Sequence, residues 1–455
     1  MEKNRMKQLT EGSPMKLLIG FIVPLLLGLL FQQFYGMIDT IVVGKYLGMG
    51  ALAGVGSTGA INFLVLGFCM GICSGFAIPV AQKFGQQDMA GLKRVIGNIV
   101  WLGLFFGIII TVITAGFCDS ILRLMHTPEE TFRFAHDYIF IVFLGIPAAM
   151  LYNLLSGIIR SLGDSKTPLY FLIFSSLLNI VLDLVLILWA KMGVAGAAVA
   201  TVVSQLVSGI LCLLFMFRSY PQLRLSRDDL KLRGYESRLL LSMGLPMGLQ
   251  YSITAIGSTM LQTAVNTLGA SAMAATTTGS RITGLMACPF DAIGTAAATF
   301  AGQNVGAGKL KRVRESTRCS FILGAVYSVI AFVIVWFFGR NITMLFLDPM
   351  EAELELVLNL SQSFLLVNVL MFVALLCVNL FRFTIQGMGF SQLAVIAGVL
   401  ELIARAVLAV VLVPRFGFSA VCWASPAAWV LADLFLIPMY YAGLRILKKK
   451  LNTDE

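Results

Sequence analysis

Long apolar stretches separated by short polar segments run along almost the whole chain. Dividing the sequence at its polar breaks leaves about twelve stretches, each close to the ~20 residues that a helix needs to cross the hydrocarbon core of a bilayer. They cover residues 17–44, 52–80, 94–117, 134–158, 167–190, 194–217, 239–267, 273–301, 316–339, 357–384, 391–413 and 420–442. Because a helix satisfies its own backbone hydrogen bonds in lipid, the pattern predicts an all-α polytopic membrane protein.

Composition and charge support this prediction and orient the chain. Hydrophobic residues make up 58% of the sequence and charged residues only 12%, against about 45–50% and 25% in soluble proteins. The loops that fall on one side carry 24 Lys and Arg, and those on the other carry 6. The positive-inside rule therefore predicts a plasma (inner) membrane protein with both termini in the cytoplasm. This bias accounts for the net charge of +10, so no nucleic-acid partner is indicated.

The chain contains an internal repeat. The segment LGMGALAG from Leu47 recurs as LGASAMAA from Leu268, and the same shift of 221 residues carries Gln82 onto Gln303. Two pseudo-symmetric bundles of six helices are predicted, joined by a basic segment. The expected division is an N-lobe at 1–217, a cytoplasmic linker at 218–238 and a C-lobe with the cytoplasmic tail at 239–455.

Besides Asp137 at the very start of one span, five carboxylates fall inside predicted spans, where a charge costs about 2.5–3.5 kcal/mol on insertion scales. They are Asp39, Asp183, Asp291, Glu401 and Asp433. Asp183 follows Asn179 by four residues, so the two share one helix face. Two carboxylates from different helices either hold Na⁺ through oxygen ligands or share a proton, because two close negative charges cannot both ionise readily. The sequence leaves both alternatives open.

An ordered set of motifs resembles the multidrug and toxic compound extrusion (MATE) transporters. The set comprises DTIVVGKYLGMGALAG, AQKFGQ, IIRSLGDSKTP, LNIVLDLVLI, MGVAGAAVAT and AGQNVGAGKLKR. The resemblance implies a V-shaped pair of six-helix bundles. It also implies secondary active efflux by antiport, in which organic cations and other amphipathic compounds leave in exchange for H⁺ or Na⁺ through alternating access.

The resemblance also implies roles for particular residues. The ion-coupling site, and the possible Na⁺ site, corresponds to Asp39, Asn179, Asp183 and Thr201. Residues that resemble the lining of a substrate cavity are Gln32, Tyr35 and Asn153. For these last three, simple interhelical contacts are an equal alternative, because polar side chains commonly join membrane helices.

The C-lobe departs from one branch of the family. Members of that branch carry a Glu in the seventh helix and an Asp in the tenth, whereas the spans 239–267 and 357–384 contain no acid. The sequence therefore resembles the branch that couples through the N-lobe. The remaining C-lobe charges are expected to form a structural or gating network or to bind substrate or ion directly: Arg281, Asp291, Glu401 and Arg405. Asp433 has no evident partner.

Other function classes are less well supported. A flippase of lipid-linked sugars is the nearest alternative, and its pyrophosphate would need a cationic cavity, for which only Arg281, Arg382 and Arg405 are candidates. GQNVGAGKL lacks the glycine spacing and the Ser or Thr of a phosphate-binding loop, so ATP is not an expected partner. Nothing resembles an enzyme's metal cluster or nucleophile. The expected partners are small-molecule drugs and membrane lipid, with no cofactor besides the coupling ion.

Overall fold

The computed structural model describes residues 7–125, 127–347 and 353–451, and all regular structure within them is helical. The helices of the first half are α1 Pro14–Leu47, α2 Met49–Ser57, α3 Gly59–Gly85, α4 Met89–Gly116, α5 Cys118–Leu124, α6 Glu129–Leu144, α7 Ile146–Ser161, α8 Lys166–Leu184 and α9 Val194–Ser219. Those of the second half are α10 Gly234–Asn266, α11 Ala270–Gly306, α12 Leu310–Met344, α13 Leu354–Leu370, α14 Phe372–Gly387, α15 Ser391–Val407, α16 Val413–Phe416 and α17 Phe418–Leu451. A 3₁₀ turn covers Pro221–Leu223.

The structure confirms the predicted membrane-spanning class. Two of the predicted spans are each formed by a bent pair of helices instead of one continuous helix. Within the described residues, ten helices are long and apolar enough to cross a bilayer, and the count reaches twelve if each of two bent pairs is one span. The pairs are α6 with α7, bent by 47°, and α13 with α14, bent by 49°. In the first pair Pro147 lies just after the break at Gly145, and a proline has no amide hydrogen for the preceding turn.

The internal repeat is visible in the backbone. A π-helical turn follows α8 at Val185–Trp189, and another follows α15 at Leu408–Leu412, 223 residues later. Left-handed glycines recur in the same way, with Gly193 at φ 61° and Gly417 at φ 58°. Residues with a side chain are disfavoured in this conformation, so a glycine specifies the same turn in each half of the chain.

The contacts divide the chain into two compact units. Unit 1 contains residues 1–10 and 23–249, and unit 2 contains residues 11–22 and 250–455. The division falls inside α1, next to Pro24, and inside α10, close to Pro246. The predicted lobe boundaries at 217 and 239 come from the internal repeat, whereas the two units come from the contacts between residues. The contacts do not test those boundaries, which therefore stay a prediction.

Close backbone packing explains why the start of α10 groups with unit 1. A Cβ atom on Gly75 of α3 would lie 2.5 Å from the Cα of Gly244, and one on Gly71 would lie 2.5 Å from the carbonyl oxygen of Met247. Only glycine permits helices to approach so closely. The first turns of α10 are thus packed against α3.

The basic linker is held against α4 by side-chain hydrogen bonds. Asn98 Oδ1 accepts from the backbone amide of Arg233 at 3.0 Å and from the Ser237 hydroxyl at 3.0 Å. Trp101 Nε1 donates to the carbonyl of Leu230 at 2.7 Å. The connection therefore has a defined path along unit 1.

Candidate functional site

The polar site of unit 1 is built on α1, α8 and α9. Asn179 and Asp183 lie one turn apart on α8, and both are buried, with exposed fractions of 2% and 0%. The π-helical turn begins two residues after Asp183. Such turns leave backbone groups irregularly paired and are frequent at functional sites. Val42 and Val43 of α1, with Ala197 of α9, belong to the surrounding apolar cluster.

Asp39 of α1 faces Asp183 across this site. The two carboxyl groups are close enough to interact with each other. A hydrogen bond between two carboxyls requires that one of them carries a proton. As ionised groups they have no donor, since Asp39 Oδ1 and both Asp183 oxygens receive no hydrogen bond from the described residues. Such a pair of carboxyl groups is chemically suited to hold a proton or a cation between its oxygens.

Asn179 and Thr201 extend the same oxygen-rich surface. Asn179 Nδ2 donates to Thr201 Oγ1 at 3.4 Å, and Thr201 Oγ1 donates to the carbonyl of Ala197 at 3.1 Å. Asn179 Oδ1 is buried without a donor in the described part of the chain. The structure thus brings Asn179 and Thr201 into contact, beside Asp183 on α8. An amide oxygen, a hydroxyl and two carboxyls are suitable ligands for a hard cation.

Two tyrosines flank the acid pair. Tyr35, one turn before Asp39 on α1, interacts electrostatically with Asp39 and Asp183. Tyr138 of α6 interacts with the same two acids and is 7% exposed. Tyr138 was not among the residues that the sequence indicated, since it follows a loop and lies in an ordinary apolar pattern.

The other predicted substrate contacts lie further from the pair. Gln32 is exposed on α1, and Asn153 of α7 is half-buried, with Nδ2 donating to the carbonyl of Ala149 at 2.8 Å in its own helix. Neither has a described hydrogen bond to the acids. Their assignment to a substrate cavity stays a prediction.

Unit 2 contains a second buried charge cluster, with a different composition. Glu401 of α15 forms ion pairs with Arg382 of α14 and with Arg405, one turn further along α15. The Arg405 Nη2 to Glu401 Oε2 distance is 3.2 Å. All three side chains are at most 7% exposed. Arg382 was noted from the sequence only as a possible pyrophosphate ligand, because nothing in its local pattern indicates Glu401, 19 residues away.

The other charged residues of unit 2 are arranged around Arg382. Asp433 of α17 is buried and Asp291 of α11 is exposed, and both interact electrostatically with Arg382. Arg281 is exposed on α11 and takes part in no described ion pair. Of the four predicted C-lobe charges, the structure therefore joins Glu401 and Arg405 directly and places Asp291 near their partner.

Comparison with known proteins gives a consistent result. The MatE family model matches residues 24–185 and 246–411. The chain is 31% identical over 339 residues to the probable multidrug resistance protein YoeA of Bacillus subtilis strain 168, covering 73% of each chain. It is 32% identical over 351 residues to the probable multidrug resistance protein YpnP of the same organism, covering 75% of this chain and 77% of the relative.

A solved structure has the same fold. The crystal structure of a MATE in complex with MaL6 superposes with a TM-score of 0.89 at 22% sequence identity, covering 99% of this chain and 100% of the other. At that level of identity the likeness concerns the fold.

Proposed function

Because the chain belongs to the MatE family of membrane transporters, we propose that it exports organic cations and other amphipathic drugs in exchange for H⁺ or Na⁺. Asp39 and Asp183 are the proposed coupling pair. The observation that carries this proposal is their position side by side inside unit 1, with no donor or basic partner for the Asp183 oxygens among the described residues.

Electrostatics explains how such a pair couples two fluxes. Two adjacent carboxylates in a low-dielectric site repel each other, so the empty, fully ionised state is unfavourable. A proton or Na⁺ removes one of the two negative charges and with it the repulsion, and loss of that ion restores the second negative charge, which attracts a cationic substrate. Exchange follows if the pair meets the ion on one side of the membrane and the substrate on the other, because each binds a different conformation more tightly.

The names of the relatives support the substrate class. YoeA and YpnP are each described as a probable multidrug resistance protein, and bulky apolar cations are typical of such substrates. Gln32, Tyr35 and Asn153 are the proposed substrate contacts in unit 1. We place the protein in the plasma membrane with both termini in the cytoplasm, on the distribution of Lys and Arg in the loops.

The flippase alternative has less support. It requires cationic groups available to a pyrophosphate, whereas Arg382 and Arg405 are buried and paired with Glu401. Exposed Arg281 alone remains from the three candidates.

Ethidium efflux from energised cells tests the proposal. Cells express wild type, Asp39→Asn, Asp183→Asn or the control Asp119→Asn, which removes an exposed carboxylate of α5. Na⁺ and pH gradients are varied separately, and the amount of transporter in the membrane is measured. We expect the first two variants to fall to the efflux of cells without the transporter, whereas Asp119→Asn exports normally. The gradient that drives wild-type efflux identifies the ion.

Two results would contradict the proposal. Normal efflux by both Asp39→Asn and Asp183→Asn would show that the pair is not the coupling site. Wild-type efflux that ignores both gradients would show that the transporter is not an H⁺ or Na⁺ antiporter.

A further inference from the structure

Asp433 is a buried carboxylate that the cluster of unit 2 leaves without a committed partner. It lies in the middle of α17 and is 8% exposed, and its Oδ1 receives no hydrogen bond from the described residues. Its nearest electrostatic partner is Arg382. That guanidinium already pairs directly with Glu401, whereas no described ion pair joins it to Asp433.

Two opposing effects act on the protonation of Asp433. Arg382, Arg405 and Glu401 together carry one net positive charge, so an ionised Asp433 brings the group to neutrality. One oxygen of the same carboxylate, Oδ1, receives no hydrogen bond from the described residues, although a buried ion needs such donors. Adding a proton from water removes this cost and returns one positive charge to the cluster. Burial and the neighbouring guanidinium therefore act in opposite directions.

The groups that face Asp433 from the surrounding helices are few. Arg382 and Cys377 of α14 interact with it directly, and Glu401 and Arg405 of α15 lie behind Arg382. Asp291 of α11 and Tyr251 of α10 act on Arg382 from the other sides.

Two other helices packed on α17 contact it away from Asp433, and Arg314 of α12 interacts electrostatically with Tyr440. Thr317 of α12 bonds the Tyr440 hydroxyl at 3.2 Å, and Asn368 of α13 donates to the carbonyl of Cys422 at 3.5 Å. Arg415 of α16 is exposed and adjoins the start of α17, about four turns before Asp433.

We propose that Asp433 is a second proton-binding site of this transporter, located in unit 2 near the ion pair of Arg382 with Glu401. The proton is taken from and returned to solvent water, and no other bond changes. With Asp433 protonated, Arg382 pairs with Glu401 alone. With Asp433 ionised, it attracts Arg382 away from Glu401. Its use in transport rests on the proposed ion-coupled function, whereas its existence rests on unit 2 alone.

Infrared difference spectroscopy on the purified protein tests the site without any transport assay. Spectra recorded at mildly acidic and mildly alkaline pH report protonated carboxyl groups through their C=O stretch. The background is Asp39→Asn with Asp183→Asn, so that the coupling pair of unit 1 contributes no signal. Isotope-labelled aspartate distinguishes these bands from those of Glu401 and other glutamates.

We expect one aspartate band that appears on acidification and is absent when Asp433→Asn is added to the background. Asp433→Glu moves the signal from the aspartate to the glutamate region, which keeps the test valid if Asp433→Asn does not fold. Cys377→Ser, an uncharged change beside the same carboxyl, is the matched control and keeps the band.

Each other outcome overturns the proposal. A band assigned to Asp433 that persists at every pH identifies a permanently neutral side chain. If no band depends on Asp433, its carboxylate is permanently ionised and is a fixed partner of Arg382. Either result leaves the proposed coupling pair of unit 1 unaffected, since that pair is absent from the background used.

Discussion

The two units handle buried negative charge in opposite ways. In unit 1, Asp39 and Asp183 face each other, and the described residues provide no basic partner for them. In unit 2, the Glu401 carboxylate lies between the guanidiniums of Arg382 and Arg405. Asp183 and the cluster of unit 2 are buried, and Asp39 is half-buried. The comparison teaches that the neighbours of an intramembrane acid, more than its depth, determine whether it can exchange an ion or is committed to structure.

The largest expected effect is a difference in stability between a variant of the unit 2 cluster and a variant of the unit 1 acid pair. Glu401→Gln removes the ion-pair partner that two buried guanidiniums share, and we expect a loss of about 3–5 kcal/mol in the free energy of unfolding. Asp183→Asn removes a like-charge contact, so its stability should equal or exceed that of wild type. Thermal unfolding of the purified variants in detergent, followed by tryptophan fluorescence, measures both.

An exposed ion pair is the matched control for this measurement. Arg340 pairs with Glu355 at the surface, where the side chains are 49% and 73% exposed. Glu355→Gln should cost less than about 1 kcal/mol, because water screens the charges. If Glu401→Gln and Glu355→Gln unfolded at the same temperature, the buried cluster would not stabilise the fold more than an exposed ion pair does.

A smaller effect concerns the ligands beside the acid pair. Thr201→Val keeps the shape of the side chain but removes the hydroxyl that accepts from Asn179. We expect a weaker dependence of efflux on the coupling ion, with a change in stability near the ~0.6 kcal/mol average for polar contacts in membranes. Efflux at graded ion concentrations, together with thermal unfolding, separates the two properties.

Ser175→Ala is the control for Thr201→Val. The Ser175 hydroxyl joins the same two helices by donating to the carbonyl of Ser204 at 3.0 Å, but it lies one turn before Asn179. It should leave the ion dependence unchanged. Equal behaviour of the two variants would mean that Thr201 contributes to packing and not to coupling.

The last prediction concerns Asp88, an acid outside the spans that has both a basic partner and a backbone hydrogen-bond donor. The Asp88 carboxylate accepts from the Gly91 amide at 2.8 Å and pairs with Lys83 at 2.9 Å. These contacts lower the pKa of Asp88. Asp88→Ala removes the helix cap of α4 and should cost about 1 kcal/mol. Asp88→Asn retains a capping side chain and should cost less.

The stabilisation that Asp88 provides should decrease at low pH. A carboxyl whose pKa is lower in the folded protein stabilises it above the ordinary Asp pKa of about 3.9, and this contribution is lost as pH falls through the lowered value. The difference in melting temperature between wild type and Asp88→Ala should therefore shrink on acidification. A difference that stays constant would mean that the ionised carboxylate contributes nothing.

Parts of the candidate site follow from spacing, and others depend on the fold. Asn179 and Asp183 are four residues apart, so a shared helix face is a direct consequence of helical geometry. Asp39 was assigned to the same site only from the resemblance to a family, because 144 residues separate it from Asp183 and local spacing cannot connect them. Tyr138 and the partnership of Arg382 with Glu401 had no sequence signal, since each contact joins different helices.

The sequence by itself determined the class of the protein and its internal repeat, and it predicted about twelve spans where the structure has ten to twelve. These properties depend on the hydrophobicity, length and order of local segments, which the bilayer selects directly. Only the tertiary structure decided which acids face each other and which face arginine. Each residue turns a helix by about 100°, so small differences in rotation and in the bends near Gly145 and Met371 change every lateral neighbour. Local patterns do not contain that information, because it arises from packing between helices that are distant in the chain.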